Sequence, residues 1–410
     1  MPFVRGYETF TGYFHHSNDY WQQTEQKCYN KPVFDLWKHN STFSGPAVEH
    51  KNGPTCTQDK QKPVDGGKCV YEEEILLGEV LKIIDAHQPA AKPAKPMFLF
   101  YSTHLTHMPL QLPEEDLEKF ANIKNEYRRS MRAMSHYVDK EVGQVVEKLK
   151  ESGMWDKTLL VLHSDNGGEI MTQFCGSSNH PLRGGKFSNY EGGIRVNALV
   201  SGGFLPRERR GTKLESLFGG EDWLKTYSAI AGVESDWESD VVAVNSGLPD
   251  FDGVNQWPVI LGELEFAREE IAIGDTSAIE FNGDGDALVG GILRKDGYKI
   301  LLGAKNKKFK ICQDVLTGEN YPDGGVVHRI PELVCRICSR EPESGCLFNV
   351  LRDETESNNL ASSQVELFAE LLNRVDELQK SIFSPNRGSK DTRACRVAEE
   401  KYGGYWGPFL

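Results

Sequence analysis

The sequence predicts an α/β protein with a mostly parallel sheet covered by helices, followed by a smaller antiparallel sheet with one helix. Two observations support this class. Short apolar runs alternate with an amphipathic helical pattern in the first part of the chain, which is typical of buried parallel strands. After about residue 265 the pattern changes to a hairpin signal and a final helix. We therefore predict two domains, residues 1–264 and 265–410.

The predicted first domain has three buried strands. They are MFLFYS (97–102), TLLVLHS (158–164) and VNALVSG (196–202). Between the first two, apolar side chains recur at spacings of three and four from Tyr127 to Leu149, which predicts a long helix. Gly153 is placed to end that helix. Residues 221–232 predict a further covering helix that ends at Gly232.

The predicted second domain begins with a hairpin. Residues 290–303 form two apolar segments around Asp296-Gly297, a pair that favours a tight turn. A final helix is expected to start near Ser363, with Glu366 completing a capping box. Its apolar face comprises Val365, Phe368, Leu372, Val375, Leu378 and Ile382.

Composition excludes two classes of partner. The 410-residue chain carries a net charge of −13, whereas nucleic-acid partners require a basic surface. No apolar run approaches the roughly 20 residues needed to cross a bilayer, so we expect no membrane span. The start, MPFVRGYETF, has no apolar h-region, so we expect no signal peptide.

Nine dispersed cysteines predict disulfide bonds. The spacing of Cys335 and Cys338 in CRICSREPESGC is also compatible with zinc, but a second pair at the usual finger spacing is missing, which favours disulfides. An odd count leaves at least one thiol without an internal partner. The sequon that begins at Asn40 agrees with a secretory compartment.

The turn after the second predicted strand is a candidate metal site. Asp165 and Asn166 follow TLLVLHS directly, and functional groups of open parallel sheets collect where strands end. Carboxylate and amide oxygens are hard donors that suit calcium or magnesium. Gly167 and Gly168 permit a sharp turn and the close approach of a ligand. The alternative is an ordinary turn, because Asp, Asn and Gly are common turn residues.

The loop PLRGGKFSNYEGGIR supplies candidate anion-binding groups. Arg183, Lys186 and Arg195 stand beside two more glycine pairs, and the Lys186 ammonium suits an oxyanion such as sulfate or phosphate. The alternative is a solvated surface lysine. We expect Glu191 to form a structural ion pair with Arg195.

Two histidines follow the MFLFYS segment. His104 and His107 are placed to hydrogen-bond an oxyanion or to protonate a leaving group near neutral pH. The alternative for each is a loop histidine whose hydrogen bonds are satisfied by the backbone.

Taken together, these segments resemble the type I sulfatase family, and within it arylsulfatase B and its near relatives. The resemblance runs from about residue 5 to the C-terminus. It rests on segments that occur in family order: GYETFTGYFHHSNDYW, FLFYSTHLTHMPLQLPEE, LLVLHSDNGG, PLRGGKFSNYEGGIRV, DFDGVNQWP and YWGPFL. The resemblance implies an alkaline-phosphatase-like α/β domain with a smaller C-terminal sheet domain.

The resemblance also implies a chemistry. Family members hydrolyse sulfate esters with one calcium ion and a formylglycine that is made from cysteine. Asp165 and Asn166 match two calcium ligands, Lys186 matches the lysine that holds the sulfate, and His107 matches the histidine near the leaving group. His104 has no clear counterpart. The implied substrate is a sulfate ester, with a sulfated glycan as one candidate, and the implied location is lysosomal or secreted.

The sequence departs from the family in two respects. No cysteine has proline two residues later and arginine four residues later, so the formylglycine motif Cys-X-Pro-X-Arg is absent. The family's early strand with paired aspartates is missing as well, which leaves the calcium site incomplete. We therefore expect a shortened chain, in which Cys395 has lost the partner that the family places in the missing portion.

Three functions remain open on this basis. The first is a sulfatase represented by a shortened chain that does not itself turn over substrate. The second is a sulfatase-like binding protein without catalysis. The third, a related phosphodiesterase, lacks the second cluster of Asp and His that two metal ions would need.

Overall fold

The computed structural model divides into two compact units. The first comprises Met1–Lys157 and Lys390–Leu410, and the second comprises Thr158–Ser389. The predicted boundary between residues 264 and 265 stays a prediction. The structure describes every residue except 1, 17, 29–30, 49–55, 57–68, 88–94, 171–175, 234–238, 275–288, 304–309, 313, 315, 318–334, 383–390, 392 and 409–410.

The first unit combines short strands with four helices among its described residues. Its strands are β1 (Phe10–Gly12), β2 (Thr24–Cys28), β3 (Lys31–Phe34), β4 (Trp37–His39) and β5 (Ser44–Pro46). Its helices are α1 (Glu72–Ala86), α2 (Glu114–Glu118), α3 (Glu126–Glu151) and α9 (Arg393–Glu400). Nowhere in the described part of either unit is a helix long and apolar enough to cross a membrane.

Helix α3 confirms the long amphipathic helix. Asn125 caps its start, because the side-chain oxygen accepts a hydrogen bond from the Arg128 amide at 2.9 Å. Gly153, at a φ of 66°, follows the end of the helix as predicted. Leu149 packs against Val80 and Ile84 of α1, which gives the two helices a common apolar core.

The predicted strand 97–102 is wrong, since the structure assigns the segment to no strand. Burial alternates along it: Met97 and Leu99 pack against the α1–α3 core, whereas Phe98 and Phe100 are 59% and 68% exposed. Alternation is what an extended segment shows when only one of its faces is covered. A buried strand of a parallel sheet requires cover on both faces.

The second unit contains eight strands and five helices in its described part. The strands are β6 (Leu160–His163), β7 (Ala198–Ser201), β8 (Glu270–Gly274), β9 (Val289–Arg294), β10 (Tyr298–Leu301), β11 (Lys310–Cys312), β12 (Cys335–Ile337) and β13 (Cys346–Asn349). The helices are α4 (Glu191–Ile194), α5 (Asp222–Ile230), α6 (Val241–Asn245), α7 (Trp257–Leu261) and α8 (Val365–Gln379). Helix α5 and the positive φ of Gly232 confirm the predicted covering helix.

The described strands do not form the mostly parallel sheet that the sequence predicted. Strands β6 and β7 pair with each other, and they do so antiparallel, from Leu160 opposite Ser201 to His163 opposite Ala198. All pairings between the named strands are antiparallel. A parallel pair needs a crossover, usually a helix of several turns, whereas the described part of the link between β6 and β7 contains only the four-residue α4.

A four-stranded antiparallel sheet confirms the predicted small sheet with one helix. Its strand order is β13-β10-β9-β8, and β9 and β10 form the predicted hairpin, with Gly297 at a φ of 84°. Phe368, Leu371 and Val375 of α8 lie in one apolar cluster with side chains of β9, β10 and β13.

The predicted capping box is wrong. Helix α8 begins at Val365, and its N-cap residue, Gln364, makes no capping hydrogen bond through its side chain. The hydroxyl of Ser363 donates instead to the Leu360 carbonyl at 3.1 Å. Ser363 therefore belongs to the turn before the helix, one position too early to cap it.

The disulfides confirm the interpretation of the cysteines and correct one pairing. Cys28 bonds to Cys395, so the expectation that Cys395 lacks a partner in this chain is wrong. The other two described bridges are Cys56–Cys69 and Cys338–Cys346, and Cys335 is also disulfide-bonded. The CRICSREPESGC segment is thus a disulfide region. Cys175 lies outside the described residues.

Candidate functional site

The turn after β6 carries the two predicted metal ligands. Asp165 is exposed and Asn166 is half-buried. Asp165 Oδ1 accepts from the Asn166 amide at 2.8 Å, and Asn166 Nδ2 donates to the Gly167 carbonyl at 2.9 Å. The Ser164 hydroxyl donates to the Asn166 carbonyl at 2.9 Å. These bonds fix the backbone of the turn, in which a carboxylate and a side-chain amide stand on adjacent residues just after a strand.

Three glycine pairs interlock behind this turn. The Gly167 amide donates to the Gly193 carbonyl at 2.9 Å. A Cβ at Gly167 would lie 1.7 Å from the Gly192 carbonyl oxygen, and a Cβ at Gly192 would lie 2.4 Å from that of Gly184. The backbones approach so closely that only glycine fits. The turn and the loop PLRGGKFSNYEGGIR therefore pack together as one loop system.

Asn179 belongs to the same loop system, although no motif in the sequence indicated it. Its Oδ1 accepts from the Gly168 amide at 2.9 Å, and its Nδ2 donates to the carbonyls of Gly168 and Gly184 at 2.8 and 3.0 Å. The Gly168 carbonyl also accepts from the Lys186 amide at 3.1 Å. Lys186 is thereby tied through its backbone to the turn that carries the predicted metal ligands.

The structure thus brings Asp165, Asn166 and Lys186 into one hydrogen-bonded loop system. The Lys186 side chain is half-buried, and its Nζ lies 5.4 Å from the centroid of the Phe187 ring. An ammonium suits an oxyanion and hard oxygen donors suit calcium, so this loop system contains the kinds of group that a sulfate and a cation need.

We expect Gly167→Ala to destabilise this loop system by about 2–3 kcal/mol, because the added Cβ must displace the Gly192 carbonyl. Gly220→Ala is the matched control, since a Cβ there meets no atom within 4 Å. Urea unfolding of both variants measures the difference. Equal stability of the two variants would show that the close approach does not exist in solution.

Two neighbouring charged residues have structural partners. The buried Arg183 donates through Nε to the Thr355 carbonyl at 2.9 Å and pairs through Nη1 with Asp314. The predicted pair between Glu191 and Arg195 is wrong, because Glu191 pairs with Lys299, at 2.9 Å. Of the three predicted cations, Arg183 is therefore occupied by structural contacts.

The histidines lie in the first unit, and His104 is structural. It is buried, its ring stacks on Tyr20 with centroids 4.1 Å apart, and its Nδ1 is 3.0 Å from Glu72 Oε1. Burial lowers the pKa of His104 to about 4, although the negative charge of Glu73 opposes this. The ring is therefore neutral at pH 7. Its Nδ1 contacts a side chain rather than the loop backbone, and its buried Nε2 has no hydrogen-bond partner among the described residues, so the ring is not satisfied by the backbone as the alternative had it.

His107 is more accessible than His104. Its Nδ1 lies 2.8 Å from the Met108 carbonyl oxygen. A carbonyl only accepts hydrogen bonds, so Nδ1 carries a proton and Nε2 is the nitrogen that can exchange one with a ligand. That arrangement suits proton transfer to a leaving group when the ring is charged.

Two residues that the sequence analysis missed hold the histidine loop in place. The Tyr20 hydroxyl donates to the His104 carbonyl at 3.0 Å and lies 3.1 Å from that of His107. Glu73 Oε1 accepts from the amides of His104 and Leu105 at 2.8 and 3.2 Å. Tyr20 lies in the segment GYETFTGYFHHSNDYW and Glu73 lies outside the quoted segments, but no pattern in the sequence indicates these contacts, so only the tertiary structure identifies them.

The predicted calcium site fits in part. Asp165 and Asn166 supply two hard oxygen donors, whereas calcium takes six to eight. Across the described ranges, no group of three or more His, Cys, Asp or Glu side chains is placed to hold a metal ion. The turn thus offers two oxygen donors, further ligands are not identified among these residues, and the calcium site stays a prediction.

The chain is similar in sequence to known arylsulfatases. The chain is 28% identical to Arylsulfatase J of Mus musculus over its full length, and it spans 62% of that relative. It is also 28% identical to Arylsulfatase A of Homo sapiens over 46% of this chain and 33% of that protein. These matches support arylsulfatase relatives in general, while the closer resemblance to arylsulfatase B stays a prediction.

Solved structures share the fold. The crystal structure of Ps i-CgsB in complex with k-i-k-neocarrahexaose superposes with a TM-score of 0.63 at 23% identity, covering 98% of this chain and 72% of that one. PsFucS1 sulfatase from Pseudoalteromonas sp. gives a TM-score of 0.59 at 19% identity, with 87% and 60% covered. The family model described as Sulfatase matches residues 4–233, more than half of the 410-residue chain. The chain therefore belongs to the sulfatase family.

Proposed function

We propose that the protein hydrolyses sulfate esters in the manner of an arylsulfatase, with this chain supplying the sulfate-holding and part of the calcium-holding groups. One observation carries the proposal: interlocked glycines tie Asp165, Asn166 and Lys186 into a single loop system. The chain spans less than two thirds of the arylsulfatase relatives described above, so the activity of the whole protein is part of the proposal.

Each group has a proposed role in binding. The Lys186 ammonium attracts the sulfate as a point charge. Asp165 and Asn166 supply two oxygens to calcium, which when bound helps to neutralise the charge of the sulfate. For His107, which lies in the other unit, the family resemblance supports proton transfer through Nε2 as the proposed role.

We assign no nucleophile within this sequence. None of its nine cysteines stands in the Cys-X-Pro-X-Arg motif, so by the family pattern it yields no formylglycine. Without a nucleophile, no covalent sulfate intermediate can form on these residues. The missing motif favours a second candidate function, a sulfatase-like binding protein that holds sulfate esters without cleaving them.

Sulfated glycans are the proposed substrate class. The support is the set of sulfatase relatives, which includes proteins named N-acetylgalactosamine-6-sulfatase. A lysosomal or secreted location is part of the same proposal, and the disulfide bonds agree with an oxidising compartment.

We expect the purified chain to bind a sulfated sugar weakly and to release no sulfate from it. Lys186→Ala removes the ammonium and should weaken binding about tenfold, as the loss of one charge-assisted hydrogen bond predicts. Calorimetry measures the binding, and ion chromatography measures the released sulfate. Lys213→Ala is the control, because the Lys213 side chain is exposed and pairs with Glu215 in the same unit.

Two results would count against this proposal. Equal binding by the Lys186→Ala and Lys213→Ala variants would exclude Lys186 as the sulfate-holding residue. Sulfate release that persists through purification and disappears in Lys186→Ala would show that the chain contains a nucleophile of another kind.

A further inference from the structure

A buried cation lies between two carboxylates inside the second unit. Lys299, on β10, is fully buried, and its Nζ lies 2.9 Å from Glu191 Oε1 and 2.9 Å from Glu356 Oε1. Burial alone would lower the pKa of the Lys299 ammonium, but the attraction of the two carboxylates overrides it and raises that pKa. The lysine is therefore charged at neutral pH. We call Lys299, Glu191 and Glu356 the buried triad.

Hydrogen bonds connect the triad to the loops that contain the three interlocked glycine pairs, which we call the glycine loops. Glu356 Oε2 accepts from the Glu191 amide at 2.7 Å, so Glu356 holds both the backbone and the ionic partner of Glu191. Glu191 is the first residue of α4, and Gly193, two residues on, accepts from the Gly167 amide at 2.9 Å. Gly167 directly follows Asn166. Three linked contacts thus join the four-stranded sheet to the turn with the two oxygen donors.

The sheet end of this connection is firmly placed. Lys299 lies opposite Leu293 of β9 and Phe348 of β13, in the interior of the antiparallel sheet. Glu356 has a φ of 49°, an uncommon conformation for a residue with a side chain, and its amide donates to the Asp353 carbonyl at 3.1 Å. Both ends of the triad are thereby held independently of the glycine loops.

A buried ion triad is a poor way to gain stability alone. Taking charges out of water costs several kcal/mol per ion, and apolar side chains of similar volume often do as well or better. The charges do fix the position of Glu191, because its carboxylate pairs with the Lys299 ammonium and its backbone amide donates to Glu356. We therefore expect the triad to act by fixing the position of α4, which Glu191 begins.

We propose that Lys299 and Glu356 are positioning residues for the turn that carries Asp165 and Asn166. They hold α4 by its first residue, and α4 holds the turn through the bond between Gly193 and Gly167. The proposal deepens the proposed function, on which it rests for the identity of the ligand, a divalent cation such as calcium. The position of the turn can be measured without that ligand.

The first experiment measures the turn directly. Glu356→Gln removes one charge but keeps an oxygen that can accept from the Glu191 amide, which favours a folded variant. We expect the Gly167 amide signal to shift in NMR spectra, and its hydrogen exchange to accelerate by about tenfold through local opening. Lys299→Met should accelerate exchange further, because it leaves two buried carboxylates without a cation.

The matched control is Asp222→Asn. Asp222 is also buried, lies in the same unit and pairs with an arginine, Arg268. None of its described contacts leads to the glycine loops. We expect the control to leave Gly167 exchange unchanged. Unchanged Gly167 exchange in folded Glu356→Gln would overturn the proposal, as would equal acceleration in both variants.

A second experiment separates the proposal from the proposed function. Calcium is titrated into the wild type, Asp165→Ala and Glu356→Gln, and binding is measured by calorimetry. Weaker binding in both variants supports the positioning role and the metal site together. Loss in Asp165→Ala with wild-type affinity in Glu356→Gln overturns the positioning role alone. If Asp165→Ala binds calcium as the wild type does, the metal site is wrong, and the exchange data alone decide on the triad.

Discussion

Replacing Cys28 and Cys395 together by alanine is expected to lower the free energy of unfolding by about 4–6 kcal/mol. The bridge joins residues 367 positions apart, and closing so long a loop restricts the unfolded chain strongly. It also attaches α9 to the hairpin of β2 and β3. Around it, the Phe34 amide donates to the Gly404 carbonyl at 3.0 Å, and the Trp406 amide donates to the Phe34 carbonyl at 2.8 Å.

The bridge between Cys338 and Cys346 provides the control, because it spans only 8 positions. Its removal by the same double alanine replacement should cost about 2–3 kcal/mol in the same chain-entropy account. Denaturant unfolding of the two variants in an oxidising buffer gives both values. A larger loss for the short bridge would mean that strain or local packing, rather than loop closure, sets the contribution of these disulfides.

The pairing of Cys28 with Cys395 could not be predicted from the sequence. Cysteine counting predicts bridges, but their connectivity depends on which segments meet in the folded chain. The same limit applies to Glu191, whose expected partner was four residues away while the observed partner, Lys299, is 108 residues away. Sequence proximity favoured Arg195, and the packing of the loop against the sheet decided for Lys299.

Local sequence patterns predicted helices and hairpins correctly, but they did not predict how the strands pair. The period of apolar residues predicted α3, and Asp296-Gly297 predicted the hairpin, because both signals arise from neighbours along the chain. An apolar run such as 158–164 indicates a strand but not its partner, and β6 pairs antiparallel with β7. Asp165 and Asn166 do lie at the end of β6 as expected, since that position depends only on where the strand stops.

A cluster of buried acids in the first unit predicts that the chain loses stability in alkali. Glu72 and Glu73 of α1 and Glu141 of α3 are almost fully buried. Glu72 and Glu73 contact His104, and the Thr103 hydroxyl lies between Glu73 and Glu141. Burial raises the pKa of Glu72 to about 8 and that of Glu141 to about 9, and it raises the pKa of Glu73 as well. Asp35 and Asp19 raise the pKa of Glu72 further. Burial and the charges of these acids also raise the pKa values of the neighbouring Tyr20, Tyr71, Tyr101 and Tyr137.

The direction of the effect follows from proton binding. An unfolded glutamate releases its proton near pH 4.3, whereas the folded chain keeps protons on Glu72 and Glu141 up to about pH 8 and 9. The folded state thus binds more protons, and its stability falls as pH rises through those values. His104, whose folded pKa is about 4, acts oppositely, but only below its unfolded pKa of about 6.5. Above that pH the carboxyl groups alone set the slope.

We expect the free energy of unfolding to fall by about 3–5 kcal/mol between pH 6.5 and pH 9. Urea unfolding at several pH values measures this slope. Glu141→Gln, which carries no titrating proton, should flatten it, whereas Glu74→Gln, at an exposed position of α1, should not. Stability that is constant or rising across this range in the wild type would mean that the acids are ionised and hydrated in the folded chain, so the two helices could not pack as closely as they do here.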